Sequence, residues 1–110
     1  MRAQKVQHKA AKVGFDWDDV SGAVDKLYEE INELKPAVSD NVKSEIEDEF
    51  GDVLFSCVNI ARFLDVDSEE ALTGATDKFV SRFSTVEQLA RERGIDMNSA
   101  GIDELDKLWD

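Results

Sequence analysis

Two carboxylate pairs define the chemistry open to this sequence: Glu30-x-x-Glu33 and Glu49-x-x-Asp52. Residues i and i+3 share one side of a helix, so each pair aims two carboxylates the same way. Two such helices packed antiparallel would bring all four to one point. Oxygen donors without His or Cys suit a hard cation, Mg²⁺ above all, with Mn²⁺ as a substitute. Lys78 and Arg82, at i,i+4, add a basic pair at the edge of a helix face, placed to grip an anion. Carboxylates, cation and basic pair are the parts for metal-assisted attack on a phosphate.

Each part also has a plainer reading. Acidic pairs on helices are commonly just solvated, and Glu30 and Glu33 alone would pass for surface residues. Lys78 and Arg82 alone would pass for an exposed flank making weak ion pairs. Glu49 and Asp52 are harder to dismiss, because apolar residues surround them. Other metal sites fail on specifics. No Glu has a His three residues later, as a ferritin-like di-iron site requires. An EF-hand starting at Asp65 would need Gly and Glu where Glu70 and Thr76 stand. No P-loop is present.

The element that positions the second pair is a helix over Glu45–Leu64, around which the chain is organised. At about 100° per residue, Glu45, Asp48, Glu49, Asp52, Ser56 and Asn59 fall in one sector roughly 100° wide. Apolar residues from Ile46 to Leu64 fill most of the rest. This inverts the usual surface helix and predicts burial on most sides, with the carboxylates facing inward or into a cleft. Their mutual repulsion and desolvation demand a cation. A helix over Met1–Lys12 ends at Gly14. Asp16 or Asp18 caps a second helix over Asp19–Leu34, which carries Glu30 and Glu33 and stops at Lys35-Pro36. Ser39, Asp40 and Asn41 offer caps for the central helix. Asp67 to Glu70 reads as an acidic capping box for a fourth helix over Ser68–Arg93, closed by Gly94. A looser tail over Ile95–Asp110 holds a short helix near Asp103–Trp109. The expected fold is all-α: a four-helix core plus a short C-terminal segment. Three helices cannot cover the central one, so a second copy should, giving a homodimer with a shared bundle, or a dimer of dimers.

At 110 residues the expectation is one domain, residues 1–110. A net charge of −12 argues against nucleic-acid polymers and anionic membranes. No apolar run is long enough to span a bilayer, and no signal-peptide pattern opens the chain. The single cysteine, Cys57, fits a reducing cytoplasm and sits among apolar neighbours as a packing residue. His8 reads as a helix-edge residue.

The ordered set of motifs resembles a known family. Glu29-Glu30-Ile-Asn-Glu33 and Asp48-Glu49-Phe-Gly-Asp52-Val-Leu-Phe are similar to the E-E-x-x-E and E-x-x-D signature of the MazG nucleoside triphosphate pyrophosphohydrolases. Val13-Gly-Phe-Asp-Trp17, Asn59-Ile-Ala-Arg62 and Lys78-Phe-Val-Ser-Arg82-Phe resemble further blocks of that family, in order. The first of these is similar to the C-terminal of the two tandem domains in long bacterial members. The resemblance implies an all-α dimer that hydrolyses an NTP to NMP and pyrophosphate with Mg²⁺, in a housecleaning role. It implies that Glu30, Glu33, Glu49 and Asp52 bind metal, that Lys78 and Arg82 contact phosphates, and that Trp109 lies near the substrate. At Glu45 the chain departs from the lysine often found in that family, which removes a phosphate contact from that side.

In the mechanism so implied, water attacks the α-phosphorus and a carboxylate of the Glu30–Glu33 pair is the base. Glu30 is preferred because it is nearest the apolar stripe, where desolvation raises a carboxylate pKa. Trp17 either stacks on a base or anchors the helix connection. Asn59 and Ser56 either bond substrate or join a network inside the bundle. Two alternatives stay open: a dNTP- or dUTP-selective pyrophosphatase, and a non-catalytic acidic helical module that binds a basic partner.

Overall fold

The computed structural model describes residues 1–109. Every regular element among them is helical: α1 (Arg2–Lys12), α2 (Val20–Asp40), α3 (Lys43–Phe63), α4 (Ser68–Glu92) and α5 (Ile102–Asp106). They form two compact units, Met1–Glu69 and Glu70–Asp110.

In the first unit, α2 and α3 form a helical hairpin and α1 lies against α3. Gly14, at φ +86°, closes α1, with the Phe15 N–H returning to the Ala10 carbonyl at 3.0 Å. Asp19, rather than Asp16 or Asp18, caps α2 by accepting the Ser21 N–H at 2.9 Å. The Ser21 hydroxyl, which also donates to this carboxylate, and then the N–H hold the Asp19 carboxyl below its ordinary range.

The expected stop at Pro36 is wrong. α2 runs through it to Asp40. Proline loses the N–H that would reach Asn32 and crowds that carbonyl. Here it sits near the helix end, and burial of Ala37 in the next position holds the last turn in place. Termination falls to Asn41, left-handed at φ 54°, whose N–H reaches the Ala37 carbonyl at 3.0 Å. Ser39 and Asp40 are therefore still helical, and α3 starts after Val42 with no side-chain cap.

The expected burial of the central helix is also corrected for the single chain. Ser56 and Val58 are its only fully buried residues, while Phe50 and Leu54 are 49% and 52% exposed. On the polar line Ser56 is covered while Glu45, Asp48 and Asp52 are exposed, and on the apolar side Phe50, Leu54 and Phe55 stay open. Gln4 ties the far end of α1 to the α3–α4 connection, donating to the Val66 carbonyl and accepting the Ser68 N–H.

In the second unit, Val86 and Ala90 of α4 enclose Leu108, with Ile95, Met97, Leu105 and Trp109 packed around them. The segment after Gly94, read from sequence as a loose tail, is thus folded onto α4. The turn is made by Gly94 at φ +68° and the Ile95 N–H bond to the Ala90 carbonyl at 2.8 Å. Its helix comes earlier than expected, at Ile102–Asp106. Asp110 lies outside the described residues. No described helix is long and apolar enough to cross a membrane.

Candidate metal centre and adjoining cavity

The α2–α3 hairpin brings Glu30, Glu49 and Asp52 together. One carboxylate oxygen from each lies within 4.8 Å of the others. Glu30 is 6% exposed, and a buried carboxylate needs partners. Lys26, one turn earlier on α2, supplies one: its Nζ stands 3.0 Å from Glu30 Oε1 and 3.3 Å from Glu29 Oε1. These contacts, Glu30 foremost, hold the Lys26 ammonium above its ordinary value. Glu30 Oε2 and Glu49 Oε2 are buried and have no partner.

One lysine does not balance this site. Burial pushes the Glu49 carboxyl up, and Asp52, Glu30, Asp48 and Glu45 push it the same way. Glu33 is exposed and outside the three-residue cluster, but lies against Glu30. Hydrogen bonding with the Glu30 carboxyl, then its charge, pushes Glu33 up. Two orphaned carboxylate oxygens in an oxygen-only cluster fit a hard divalent cation.

Glu30 and Asp52 also belong to the wall of a cavity of about 710 Å³. Its apolar walls come from Phe15, Trp17 and Phe55, and its polar ones include Gln7, Asn59 and Arg62. Trp17 lies on the first turn of α2, where the absence of a side chain at Gly22 admits it: a Cβ there would stand 3.2 Å from Trp17 Cβ and Cε3. Trp17 therefore anchors the connection and walls the cavity at once. Asp16 takes both Arg62 Nη atoms, at 2.9 and 2.6 Å, and Arg62 Nη2 also donates to Asn59 Oδ1 at 2.9 Å. The Arg62 hydrogen bonds hold the Asp16 carboxyl low.

In the second unit, Lys78 and Arg82 are exposed on α4, the Arg82 guanidinium carbon 5.8 Å from the Trp109 ring centroid. Phe79 contacts the same ring at 5.2 Å. So Glu30, Glu49 and Asp52 converge, Glu33 adjoins them, Trp17 and Asn59 share the cavity, and Lys78, Arg82 and Trp109 form a group of their own.

Sequence reasoning missed Lys26, Asp16, Arg62 and Gln7 as site residues. The i,i+4 spacing of Lys26 and Glu30 was a usable signal. So was the position of Gln7 among Ala3, Ala10 and Ala11 on the inner side of α1. Nothing local pairs Asp16 with Arg62, 46 residues apart.

The family model for the MazG nucleotide pyrophosphohydrolase domain matches residues 18–87. The protein named nucleoside triphosphate pyrophosphohydrolase/pyrophosphatase MazG of Thermotoga maritima is 46% identical over 108 residues, covering 98% of this chain and 41% of that protein. The nucleoside triphosphate pyrophosphohydrolase of Escherichia coli K12 is 43% identical over 113 residues, covering 99% of this chain and 42% of that protein. YabN of Bacillus subtilis, named as uncharacterized, is 49% identical over 61 residues, 56% of this chain. The chain thus spans about two fifths of the length of the first two relatives. With the matched region holding the α2–α3 carboxylates, Lys78 and Arg82, the chain belongs to the MazG nucleotide pyrophosphohydrolase domain family.

Proposed function

We propose that this protein hydrolyses nucleoside triphosphates to nucleoside monophosphate and pyrophosphate. The observation that carries the reading is the convergence of Glu30, Glu49 and Asp52 within 4.8 Å, on the edge of a cavity that two of them help to line. The activity for which the two longer relatives are named supports it. Glu30, Glu49 and Asp52 would hold Mg²⁺ (or Mn²⁺ in its place), which when bound supplies charge neutralisation and polarises the α-phosphate.

The chain's own residues supply the rest. Lys26 pairs with the buried Glu30 and holds it aimed at the cluster. Glu33 lies against Glu30 but outside the cluster, so its carboxylate is not committed to the cation; this moves the base from Glu30 to Glu33. Water loses its proton to Glu33 as its oxygen bonds to the α-phosphorus. The bond from that phosphorus to the α–β bridging oxygen breaks, and the electrons leave with pyrophosphate. Lys78 and Arg82, with Trp109 beside Arg82, are proposed as triphosphate-binding residues on the resemblance to the family. Trp17 and Asn59 receive the base in the cavity.

A homodimer, or a dimer of dimers, is the proposed working form in the cytoplasm. Phe50, Leu54 and Cys57 repeat along one open side of α3, with Tyr28 exposed on α2, and an apolar surface of this kind is suited to a second copy. The test of function is product identity with and without chelator, together with Glu33→Gln. That variant should bind nucleotide and Mn²⁺ but lose turnover by at least about a hundredfold. Full turnover in Glu33→Gln would refute the base assignment.

A further inference from the structure

We infer that Gln7 reads the base of the bound nucleotide, as a hydrogen-bond acceptor held in one orientation in the wall of the cavity. The inference rests on the nucleotide reading above and adds how the cavity selects what enters it.

Gln7 is 5% exposed, on a helix whose other inner residues are mostly alanine. Its Nε2 donates to the Phe55 carbonyl at 2.9 Å. A carbonyl only accepts, so the NH₂ end of the amide must face α3. The opposite end, Oε1, is then fixed as well. It is buried and has no partner in the structure. A buried amide oxygen left unpaired is unfavourable, and residues that persist this way generally await a ligand or water.

The surroundings identify the donor. Gln7 shares the cavity with Phe15, Trp17 and Phe55, apolar walls that suit the faces of a planar heterocycle. Glu30 and Asp52 line the same cavity and belong to the carboxylate cluster where the phosphates would lie, so the base is the part of the nucleotide left to fill it. A second amide is fixed in the same wall. Asn59 Oδ1 accepts from Arg62 Nη2, which commits its Nδ2 to donating elsewhere. Of these two amides, Gln7 is thereby set as an acceptor and Asn59 as a donor. A base that presents an exocyclic amine or ring N–H beside a ring nitrogen or carbonyl satisfies both. A base whose N–H has been removed leaves Gln7 Oε1 buried and unpaired, and is rejected.

The test compares kcat/KM for three pairs on the full chain with Mg²⁺: ATP and purine riboside triphosphate, CTP and the 2-pyrimidinone riboside triphosphate, UTP and 3-methyluridine triphosphate. The analogue of each pair lacks the donor. The wild-type protein should prefer the parent by about tenfold or more in the pair that it turns over best. Gln7→Met, similar in volume, should lower kcat/KM for that parent by about the same factor and bring the ratio close to one. Equal turnover of parent and analogue by wild type overturns the inference with no variant needed. An equal loss on both substrates in Gln7→Met also overturns it, because Gln7 would then only brace α1 against α3. In both cases the parent is still hydrolysed, so the pyrophosphohydrolase reading stands. No turnover of any parent, of GTP or of any dNTP removes that reading, and this inference falls with it.

Discussion

Substituting Gly22 by alanine should disturb Trp17 and the cavity it walls. An added Cβ would meet Trp17 Cβ and Cε3 at 3.2 Å and Cδ2 at 3.3 Å. Ordinary contacts begin a few tenths of an ångström further out, so the indole must move by about that much. It cannot do so freely, since Trp17 N is tied to the Asp16 carboxylate at 2.9 Å and Asp16 is clamped by Arg62. Overpacking of this kind costs about 1–3 kcal/mol. Replacing glycine in a helix returns about 0.5–1 kcal/mol. The net is a loss of about 0–2.5 kcal/mol, and at roughly 4 °C per kcal/mol for a chain of this length the midpoint should fall by up to about 10 °C. The assay pairs a thermal melt with the two indole N–H resonances. Trp17 should shift while Trp109, in the other unit, stays in place. In a Trp17→Ala background, Gly22→Ala should instead be neutral or stabilising by up to about 1 kcal/mol. A raised midpoint in the wild-type background with an unmoved Trp17 resonance would refute the reasoning.

The charged groups give two pH predictions in separate windows. The folded-state pKa of Glu49 lies above its ordinary 4.5, so the folded protein binds protons more tightly there, and metal-free stability should fall as pH rises above 4.5. Glu49→Gln should flatten that fall, raise the metal-free midpoint at neutral pH, and cancel much of the stabilisation by added Mg²⁺; melts that match wild type in all three respects would count against the cluster. Asp16 is shifted the other way: its contribution is present above the ordinary 3.8 and is lost as pH falls through the lower folded value. Asp16→Asn should be less stable than wild type at neutral pH and converge with it in acid; an unchanged gap across that acid range would mean that the pairing with Arg62 is not what holds this end of the cavity.

The shared side of Glu49 and Asp52 was legible because it depends only on helix pitch, whereas Glu33 stands outside the cluster that holds Glu30. The convergence of Glu30, Glu49 and Asp52 then followed from one hairpin. Gly14 and Gly94 were legible as stops for a similar local reason: both take positive φ. What escaped depends on context. Pro36 was read as a stop, but burial of Ala37 outweighed its local cost. The apolar surround of α3 was read as buried with the help of a second copy; in the single chain Phe50, Leu54 and Phe55 stay exposed. The position of Gln7 on the inner side of α1 was legible, but its partner was not, because that is a carbonyl 48 residues away and backbone carbonyls leave no mark in a sequence.

The central claim is tested most directly by resolving the products of the purified protein acting on each NTP and dNTP, with Mg²⁺ and with EDTA. The account predicts nucleoside monophosphate and pyrophosphate in equal amounts, abolished by EDTA and by Glu49→Gln. Nucleoside diphosphate and phosphate, or turnover that survives EDTA, would contradict it.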